Sequence, residues 1–243
     1  MKKNNFKRKN IKVIILCGGK GTRITEETKA KPKPMIKIGK EPIICHIMRI
    51  FKYYGFNDFI LAAGYKKKII ENYFKNLKEF PNVKIVNTGK ESMTGGRILR
   101  LKKYLKNEKY FFMTYGDGLG DINLVKLLNF HKKHKKIGTV TAVHPPVRFG
   151  ELKIKKNKVL EFKEKPQAKA GWINGGFFVL SNEIFRYIKN DKTVFEREPL
   201  EKISSKKQLM AYKHNSFWQC MDTLRDKILL NNLWKKKKAP WKK

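Results

Sequence analysis

Acidic residues are scarce in this chain of 243 residues: 20 Asp and Glu stand against 57 Lys and Arg, which gives a formal net charge of +37. Such an excess raises the question of a polyanionic partner, a nucleic acid or a membrane surface. Arginine forms bidentate hydrogen bonds with phosphates and guanine edges, but it supplies only nine of these cations. Lysine is instead spread over the whole length beside abundant Asn and Ile, the residues of AT-rich codons. We therefore predict no nucleic-acid partner and interpret most of the charge as compositional background.

Cysteine and long hydrophobic runs are also scarce. Cys17, Cys45 and Cys220 lie far apart without metal-ligand spacing, which predicts no disulfide framework and a reducing, cytoplasmic compartment. No apolar run approaches the roughly 20 residues of a membrane span, so no membrane partner is predicted. The basic start is followed by an apolar run, 13–16, that is too short for a signal peptide. With 41% hydrophobic and 12% aromatic residues, the chain is expected to bury a sizeable core.

Apolar runs alternate with helical patterns in the first half of the chain, and this alternation predicts an α/β fold with a mainly parallel sheet and helices on both faces. The second half is richer in strands. Strands are predicted at 13–16, 59–63, 83–86, 110–114, 139–143, 150–154, 159–162, 175–180 and 209–212. Helices are predicted at 42–54, 66–74, 96–105, 123–131, 182–188, 199–204 and 223–233. We predict one domain from 12 to 243, preceded by a basic arm at 1–11.

A glycine-rich loop directly follows the first strand, with the sequence Leu-Cys-Gly-Gly-Lys-Gly-Thr-Arg at 16–23. Three glycines in four positions let the backbone approach a ligand closely, and successive N–H groups can bind an anion. Ligands of open α/β sheets bind at this position, the carboxyl end of a strand. The spacing matches neither G-x-G-x-x-G nor a Walker A loop. On the glycines alone, a plain strand-to-helix turn is an equally good interpretation.

A second basic segment follows, Ala-Lys-Pro-Lys-Pro-Met at 30–35. The prolines on either side of Lys33 stiffen the backbone and are expected to hold it extended. A lysine held stiffly beside a glycine loop is suited to neutralising a phosphate. Taken alone, Lys33 would be read as a solvated surface residue, because the chain is so rich in lysine.

Two aspartates are candidate cation ligands. Asp117 follows a predicted strand and lies between Gly116 and Gly118, where a turn aspartate is the simpler interpretation of the segment alone. Asp222 precedes the last predicted helix and is a candidate N-cap. Asp226, one turn later, is interpreted as structural, pairing with Arg225 or a nearby lysine.

The two basic segments together resemble a known signature. G-G-x-G-T-R followed by P-K-P-M is similar to the motif of the sugar-phosphate nucleotidyltransferases, and the resemblance extends from about Lys12 to the end of the chain. Further matching blocks occur in order: Ser-Met-Thr-Gly-Gly-Arg at 92–97, Thr-Tyr-Gly-Asp-Gly at 114–118, Arg-Phe-Gly at 148–150, Glu-Lys-Pro at 164–166, Asn-Gly-Gly-Phe-Phe at 174–178, Phe-Trp-Gln-Cys-Met-Asp-Thr-Leu-Arg-Asp at 217–226 and Ala-Pro-Trp at 239–241. The blocks at 92–97 and 221–226 favour the cytidylyltransferase subgroup.

This resemblance implies a Rossmann-like, mixed and mainly parallel central sheet, with a nucleotide-binding part at about 12–145 and a sugar-binding part at about 146–243. It implies an enzyme that joins CTP to α-D-glucose 1-phosphate, giving CDP-glucose and pyrophosphate for nucleotide-sugar and surface-polysaccharide synthesis. Mg²⁺ suits catalysis by positioning and charge neutralisation, and its implied ligands are Asp117 and Asp222. Arg23 and Lys33 are the implied catalytic residues.

The remaining site residues are also carried over from the resemblance. The implied nucleotide-binding residues are Leu16, Cys17, Gly18, Gly19, Lys20, Gly21, Thr22, Arg23, Lys33, Ser92, Arg97 and Gly116. The implied sugar-phosphate-binding residues are Glu164, Lys165, Asn174 and Gly175. Cys17 departs from the usual alanine of the motif, a change between small residues that the loop should accommodate.

Three alternatives remain open at this point. The stretch between Tyr73 and Ser92 is shorter than in the cytidylyltransferases, where a long insertion shapes subunit contacts and part of the active-site wall. This departure bears on the homo-oligomer that we expect and leaves the choice of sugar open. A sibling enzyme could use UTP or dTTP, or another sugar 1-phosphate. A non-catalytic, polyanion-binding protein on the same fold is the distant alternative.

Overall fold

A seven-stranded sheet forms the centre of the molecule, as the alternating pattern predicts. The structure is a computed structural model that describes residues 11–21, 24–75, 77–145, 151–163 and 171–243. The strands of the described residues are β1 (Lys12–Cys17), β2 (Lys37–Ile38), β3 (Glu41–Pro42), β4 (Asp58–Ala63), β5 (Val83–Asn87), β6 (Tyr110–Tyr115), β7 (Gly118–Gly120), β8 (Gly138–Val143), β9 (Glu151–Lys155), β10 (Lys158–Lys163), β11 (Ile173–Ser181), β12 (Leu209–His214) and β13 (Trp218–Cys220).

The helices connect these strands. In the same residues they are α1 (Thr25–Thr28), α2 (Ile43–Tyr53), α3 (Lys67–Lys75), α4 (Thr94–Arg100), α5 (Lys102–Leu105), α6 (Leu124–His134), α7 (Glu198–Ser205) and α8 (Leu224–Lys235), with 3-10 turns at Lys33–Met35 and Asn182–Tyr187. None of the helices in this part of the chain has the length and apolar character that crossing a membrane requires.

The central sheet is mixed and mainly parallel. Its strand order is β12-β8-β11-β6-β1-β4-β5. Parallel ladders join β1 to β4 and β6, β4 to β5, and β12 to β8. Only β11 runs antiparallel within this sheet, against both β6 and β8. The predicted Rossmann-like architecture is therefore confirmed, and β11 and β12 bring the strand-rich second half into the same sheet.

β1 shows how the sequence builds two core layers. Its side chains alternate, so Val13 and Ile15 enter one buried cluster while Ile14 and Leu16 enter the other. The first cluster contains residues of α2, α3, α6 and α8, and the second contains residues of α4, α5 and α7. Helices thus cover both faces of the sheet, and this explains why β1 is apolar on every residue from Val13 onward.

α2 illustrates how well local signals mark an element. It begins after Pro42, and the N–H that proline lacks is one that the start of a helix would leave without an intrahelical partner. It ends at Tyr53, and Gly55 follows with a φ of 83°, a left-handed conformation that glycine adopts without strain. The predicted stop at Gly55 is confirmed.

Three local predictions need correction. The helix predicted at 96–105 is two helices, because the hydrogen bonds around Leu101 shorten to the three-residue type, with Leu101 N donating to Ile98 O and Tyr104 N donating to Leu101 O. The helix predicted at 182–188 is a 3-10 turn. Lys33 is not extended between its prolines: it starts a 3-10 turn that Met35 N closes by donating to Pro32 O at 2.8 Å.

Candidate active site

A cavity of about 600 Å³ opens at the carboxyl ends of β1 and β6. Its lining brings together most of the residues that the sequence motifs single out. These are Leu16, Cys17, Gly18, Gly19, Gly21, Lys33, Ser92, Arg97, Gly116, Asp117, Asn174, Gly175 and Asp222. Lys20 is not part of the lining, and its ammonium contacts Glu91 at 3.1 Å on the surface. Thr22, Arg23, Glu164 and Lys165 lie outside the described residues, as does most of the predicted basic arm.

The glycine loop is held in place through its carbonyl groups. Leu16 O accepts from Gly116 N at 3.1 Å, and Gly18 O accepts from Tyr65 N at 3.0 Å. Gly21 has a φ of 66°, and a Cβ there would lie 2.9 Å from Thr28 and 3.1 Å from Lys33. The loop therefore needs glycine at 21 both for its backbone conformation and for the close approach of Lys33.

Cys17 contributes backbone to the cavity, while its side chain lies in the core. The thiol is buried, and this burial raises its pKa to about 12. A thiol in that state behaves as a small apolar side chain. All three cysteines belong to the described residues, and all three are free thiols.

Arg97 extends from α4 and lies against the glycine loop. Its guanidinium donates to Gly89 O at 2.7 Å and to Thr88 Oγ1 at 3.0 Å. It occupies the space that a side chain on Gly18 or Gly64 would need. Burial lowers the pKa of Arg97, and within the described ranges no carboxylate lies within ion-pair distance of it. A buried cation in this state at the cavity wall is suited to an acceptor atom or an anion of a ligand.

Lys33 forms the charge centre of the cavity. Its Nζ lies 2.5 Å from Asp117 Oδ2 and 2.5 Å from Asp222 Oδ1, and the residue is 8% exposed. Burial opposes the charge, and yet the two carboxylates together raise the pKa of Lys33 above its ordinary value. Lys33 is therefore a fixed ammonium between two carboxylates.

A short ladder brings the two aspartates together. β7 and β13 pair antiparallel, with Cys220 opposite Gly118, and Met221 N donates to Asp117 O at 2.9 Å. Asp117 and Asp222, far apart in the sequence, thereby reach the same lysine. Neither of these strands was predicted.

Asp222 is not a helix cap. The N-cap of α8 is Thr223, whose hydroxyl accepts from Asp226 N, while Asp226 Oδ2 accepts from the backbone N–H groups of Asp222 and Thr223. The structural interpretation of Asp226 holds, but its partners are the start of α8 and the Gln219 amide, not Arg225. This capping leaves the Asp222 carboxylate to face the cavity.

The donor set at this point suits a small hard cation. Two carboxylates converge on one positive charge, and Mg²⁺ is commonly held by one or two carboxylates with phosphates and water completing its six ligands. Over the described residues there is no group of three or more His, Cys, Asp or Glu side chains placed to hold a metal. The residues present therefore fit Mg²⁺ that arrives together with a phosphate ligand.

The opposite wall comes from the start of β11. Asn174 Oδ1 accepts from Gly176 N at 2.8 Å, and Gly175 O accepts from Trp218 Nε1 at 2.7 Å. The buried Trp218 ring also lines the cavity, and its N–H fixes the turn at Gly175.

Sequence reasoning missed one wall entirely. Thr94, Tyr115, Val194 and Glu196 line the cavity, and the last two belong to a segment that carries no motif. A signal was present in the Gly95-Gly96 pair, since paired glycines in a helix mark a close backbone approach. Gly95 N donates to Thr193 O at 2.9 Å, and a Cβ at Gly95 would lie 2.7 Å from that oxygen.

Comparison with known proteins agrees with this geometry. Residues 12–226 match the family model described as nucleotidyl transferase. The chain is 45% identical to glucose-1-phosphate cytidylyltransferase of Salmonella typhimurium and 39% identical to the probable glucose-1-phosphate cytidylyltransferase of Bacillus subtilis, in both cases over 96% of this chain and 99% of the relative. HddC from Yersinia pseudotuberculosis, solved in complex with GMP-PN, superposes with a TM-score of 0.73 and 25% identity over 92% of this chain and 99% of that chain. The protein is a member of the nucleotidyl transferase family.

Proposed function

We propose that this protein transfers the cytidylyl group of CTP to α-D-glucose 1-phosphate, forming CDP-glucose and releasing pyrophosphate for nucleotide-sugar and surface-polysaccharide synthesis. The observation that carries the proposal is the near full-length similarity to two cytidylyltransferases. It is supported by the cavity, which collects Ser92, Arg97, Asp117 and Asp222 from the matching blocks.

The chemistry requires two anions to meet. An oxygen of the sugar phosphate attacks the α-phosphorus of the nucleotide, a new P–O bond forms, and the bond to the β-phosphate oxygen breaks as pyrophosphate leaves. The protein has to align the two phosphates and neutralise the charge that develops on the leaving group. No covalent enzyme intermediate is needed.

The charged residues that the motifs bring to the cavity have tasks in this scheme. The glycine loop offers backbone N–H groups, and the Lys33 ammonium binds phosphate oxygens. Asp117 and Asp222 would hold Mg²⁺, which supplies charge neutralisation at the phosphates when it is bound. Ser92 and the Arg97 guanidinium are suited to the carbonyl and ring nitrogen of cytosine, because both are hydrogen-bond donors. Arg23, outside the described residues, is assigned to the triphosphate.

The sugar end is assigned to the β11 wall. Asn174 and Gly175 line it, and their amide and backbone groups are suited to hydroxyls. Glu164 and Lys165 are assigned to a sugar hydroxyl and the sugar phosphate, from the resemblance alone.

A substrate panel tests the proposal. Pyrophosphate release is measured with CTP, UTP, dTTP and GTP, each against several sugar 1-phosphates, in the presence of Mg²⁺. We expect the highest kcat/KM with CTP and glucose 1-phosphate. Higher kcat/KM with UTP or dTTP would overturn the cytidylyl assignment.

A guanylyltransferase is the second candidate. A solved relative at 25% identity was crystallised with GMP-PN, and the cavity wall at Ser92 and Arg97 does not by itself exclude a purine. The GTP arm of the same panel decides between the two. The homo-oligomer and the cytoplasmic location predicted from the sequence belong to the same proposal, and light scattering on the purified protein tests the former.

A further inference from the structure

Glu196 is an acidic side chain in the cavity wall that the sequence motifs leave without a role. It lies in the segment before α7, and its carboxylate lines the cavity. In the described part of a chain with 57 Lys and Arg, no lysine or arginine lies within ion-pair distance of Glu196. Its two oxygens instead accept from two hydroxyls, Tyr115 Oη on Oε1 and Thr94 Oγ1 on Oε2, each at 2.5 Å. The carboxylate thus bridges two walls of the cavity.

Tyr115 is the partner on the sugar side. It ends β6 directly before Gly116 and Asp117, and its ring fills the space where a side chain on Gly176 would lie. Asn174 accepts from the N–H of that same Gly176 and lines the cavity beside Tyr115.

Thr94 is the partner on the nucleotide side. It is the first residue of α4, the helix that carries Arg97. Its Oγ1 also accepts from Phe195 N at 2.9 Å, so the hydroxyl has both a donor and an acceptor and is held in one orientation. Glu196 therefore fixes the beginning of the helix that places the Arg97 guanidinium.

We propose that Glu196 is a positioning residue that couples the nucleotide and sugar sides of the cavity. Through Tyr115 it orients the Asn174 wall for the sugar phosphate, and through Thr94 it fixes α4. This inference rests on the proposed function for the names of the two substrates. It predicts that a change at Thr94, on the nucleotide side, also weakens binding of the sugar phosphate.

Glu196→Gln is the first test, with KM and kcat measured for both substrates. Its amide oxygen still accepts from one hydroxyl but is neutral, and its NH₂ group turns a donor toward the other, so one hydrogen bond is lost and the other loses its charge assistance. We expect KM for glucose 1-phosphate to rise by about tenfold or more, with a smaller change in kcat. Glu198→Gln is the matched control, because Glu198 pairs with Lys189 and Lys202 on the surface. If the two variants have the same KM, the proposal is wrong.

Tyr115→Phe and Thr94→Val separate positioning from direct contact. Each should raise KM for glucose 1-phosphate in the wild-type background and add little in the Glu196→Gln background, since coupled residues are not additive. Thr94→Ser keeps the hydroxyl, so its KM for glucose 1-phosphate should equal that of the wild type. If Glu196→Gln raises KM while Tyr115→Phe and Thr94→Val do not, Glu196 acts on the substrate itself and the positioning role is refuted.

A measurement without substrate keeps the two proposals distinguishable. If the wild-type protein turns over no pair in the panel, the proposed function fails, and the coupling is then read from the free energy of unfolding. Tyr115→Phe and Thr94→Val should be non-additive when Glu196 is present and additive in the Glu196→Gln background. Additivity in both backgrounds would refute the bridge.

Discussion

Lys33 and its two aspartates set the charge of the cavity floor, and single substitutions there should separate activity from folding. Asp117→Asn removes one of the two carboxylates on Lys33 but leaves Asp222 to pair with the ammonium. We expect turnover to fall by about a hundredfold or more with the thermal midpoint nearly unchanged, because the loss falls on the bound phosphates. Pyrophosphate release and thermal melts measure the two effects.

The matched control is Asp191→Asn. Asp191 forms an exposed ion pair with Arg100, and such pairs contribute about 0–1 kcal/mol. This variant should have the turnover and the thermal midpoint of the wild type. Full turnover of Asp117→Asn in Mg²⁺ would show that the metal assignment is wrong.

Two adjacent glycines of the loop should respond differently to the same change. A methyl group on Gly18 would overlap the Arg97 guanidinium and approach Gly64 N to 2.9 Å, whereas a methyl group on Gly19 meets no atom within 4 Å. We expect Gly18→Ala to lower the free energy of unfolding by about 1–3 kcal/mol through overpacking. Gly19→Ala should change it by less than about 0.5 kcal/mol. Urea unfolding of both variants checks this, and equal effects would contradict the close approach of Arg97.

At the scale of elements, the cap of α8 supports the site. Asp226 accepts from the N–H groups of Asp222 and Thr223, so Asp226→Ala removes the carboxylate half of the capping box and also frees the backbone of a predicted metal ligand. We expect a loss of about 1–2 kcal/mol in the free energy of unfolding together with reduced turnover. Arg225→Ala, at the exposed neighbouring position, should change stability by less than about 0.5 kcal/mol. A loss of the same size in Arg225→Ala would restore the ion-pair interpretation.

The end of α6 contains a buried histidine, His131, beside the half-buried His134, and it makes stability depend on pH. His131 and His134 both contact Thr139 Oγ1, at 2.9 and 2.7 Å, and His134 Nδ1 accepts from Lys136 N. Burial, together with the nearby His134, lowers the pKa of His131 to about 3, and burial also lowers the pKa of His134. The unfolded chain therefore binds a proton on His131 as the pH falls below about 6.5, and the folded chain does so only near pH 3.

The stability that His131 contributes is therefore complete above about pH 6.5 and is lost as the pH falls toward 3. The slope for His131 alone is about 1.4 kcal/mol per pH unit between those limits. His131→Gln should have a lower free energy of unfolding than the wild type at pH 7.5. Between pH 7.5 and pH 5, this free energy should fall less in the variant than in the wild type. Urea unfolding at several pH values measures both slopes, and parallel curves would contradict the buried neutral histidine.

Sequence patterns predicted the long elements and failed on the short ones, for a physical reason. β1 and β4 each contain five consecutive apolar residues, and α2 is periodic over 11 residues, so their patterns are unambiguous. β7 and β13 have three residues each, which is too short for any period, and their pairing depends on the rest of the fold. Motif blocks located Lys33, Asp117 and Asp222, while Glu196 belongs to no block and becomes visible only through its contacts.

For the whole molecule, the charge of +37 leads to a prediction about nucleic-acid binding. The cations that the cavity uses are few, chiefly Lys33 and Arg97, and the others are expected to be solvated. Filter binding with RNA and duplex DNA at about 150 mM salt should give only non-specific affinity, with Kd of about 10⁻⁶ M or weaker and a steep salt dependence. Sequence-selective binding in the nanomolar range would favour the polyanion-binding alternative.

The ladder between β7 and β13 also determines when the site can exist during synthesis. Lys33 and Asp117 are 84 positions apart, and Lys33 and Asp222 are 189 positions apart. A nascent chain on the ribosome therefore carries the glycine loop, Lys33 and the first carboxylate long before the second carboxylate is translated. The charge centre closes only after nearly every strand of the central sheet has been made, so a prematurely terminated product would hold nucleotide-binding motifs without a complete catalytic centre.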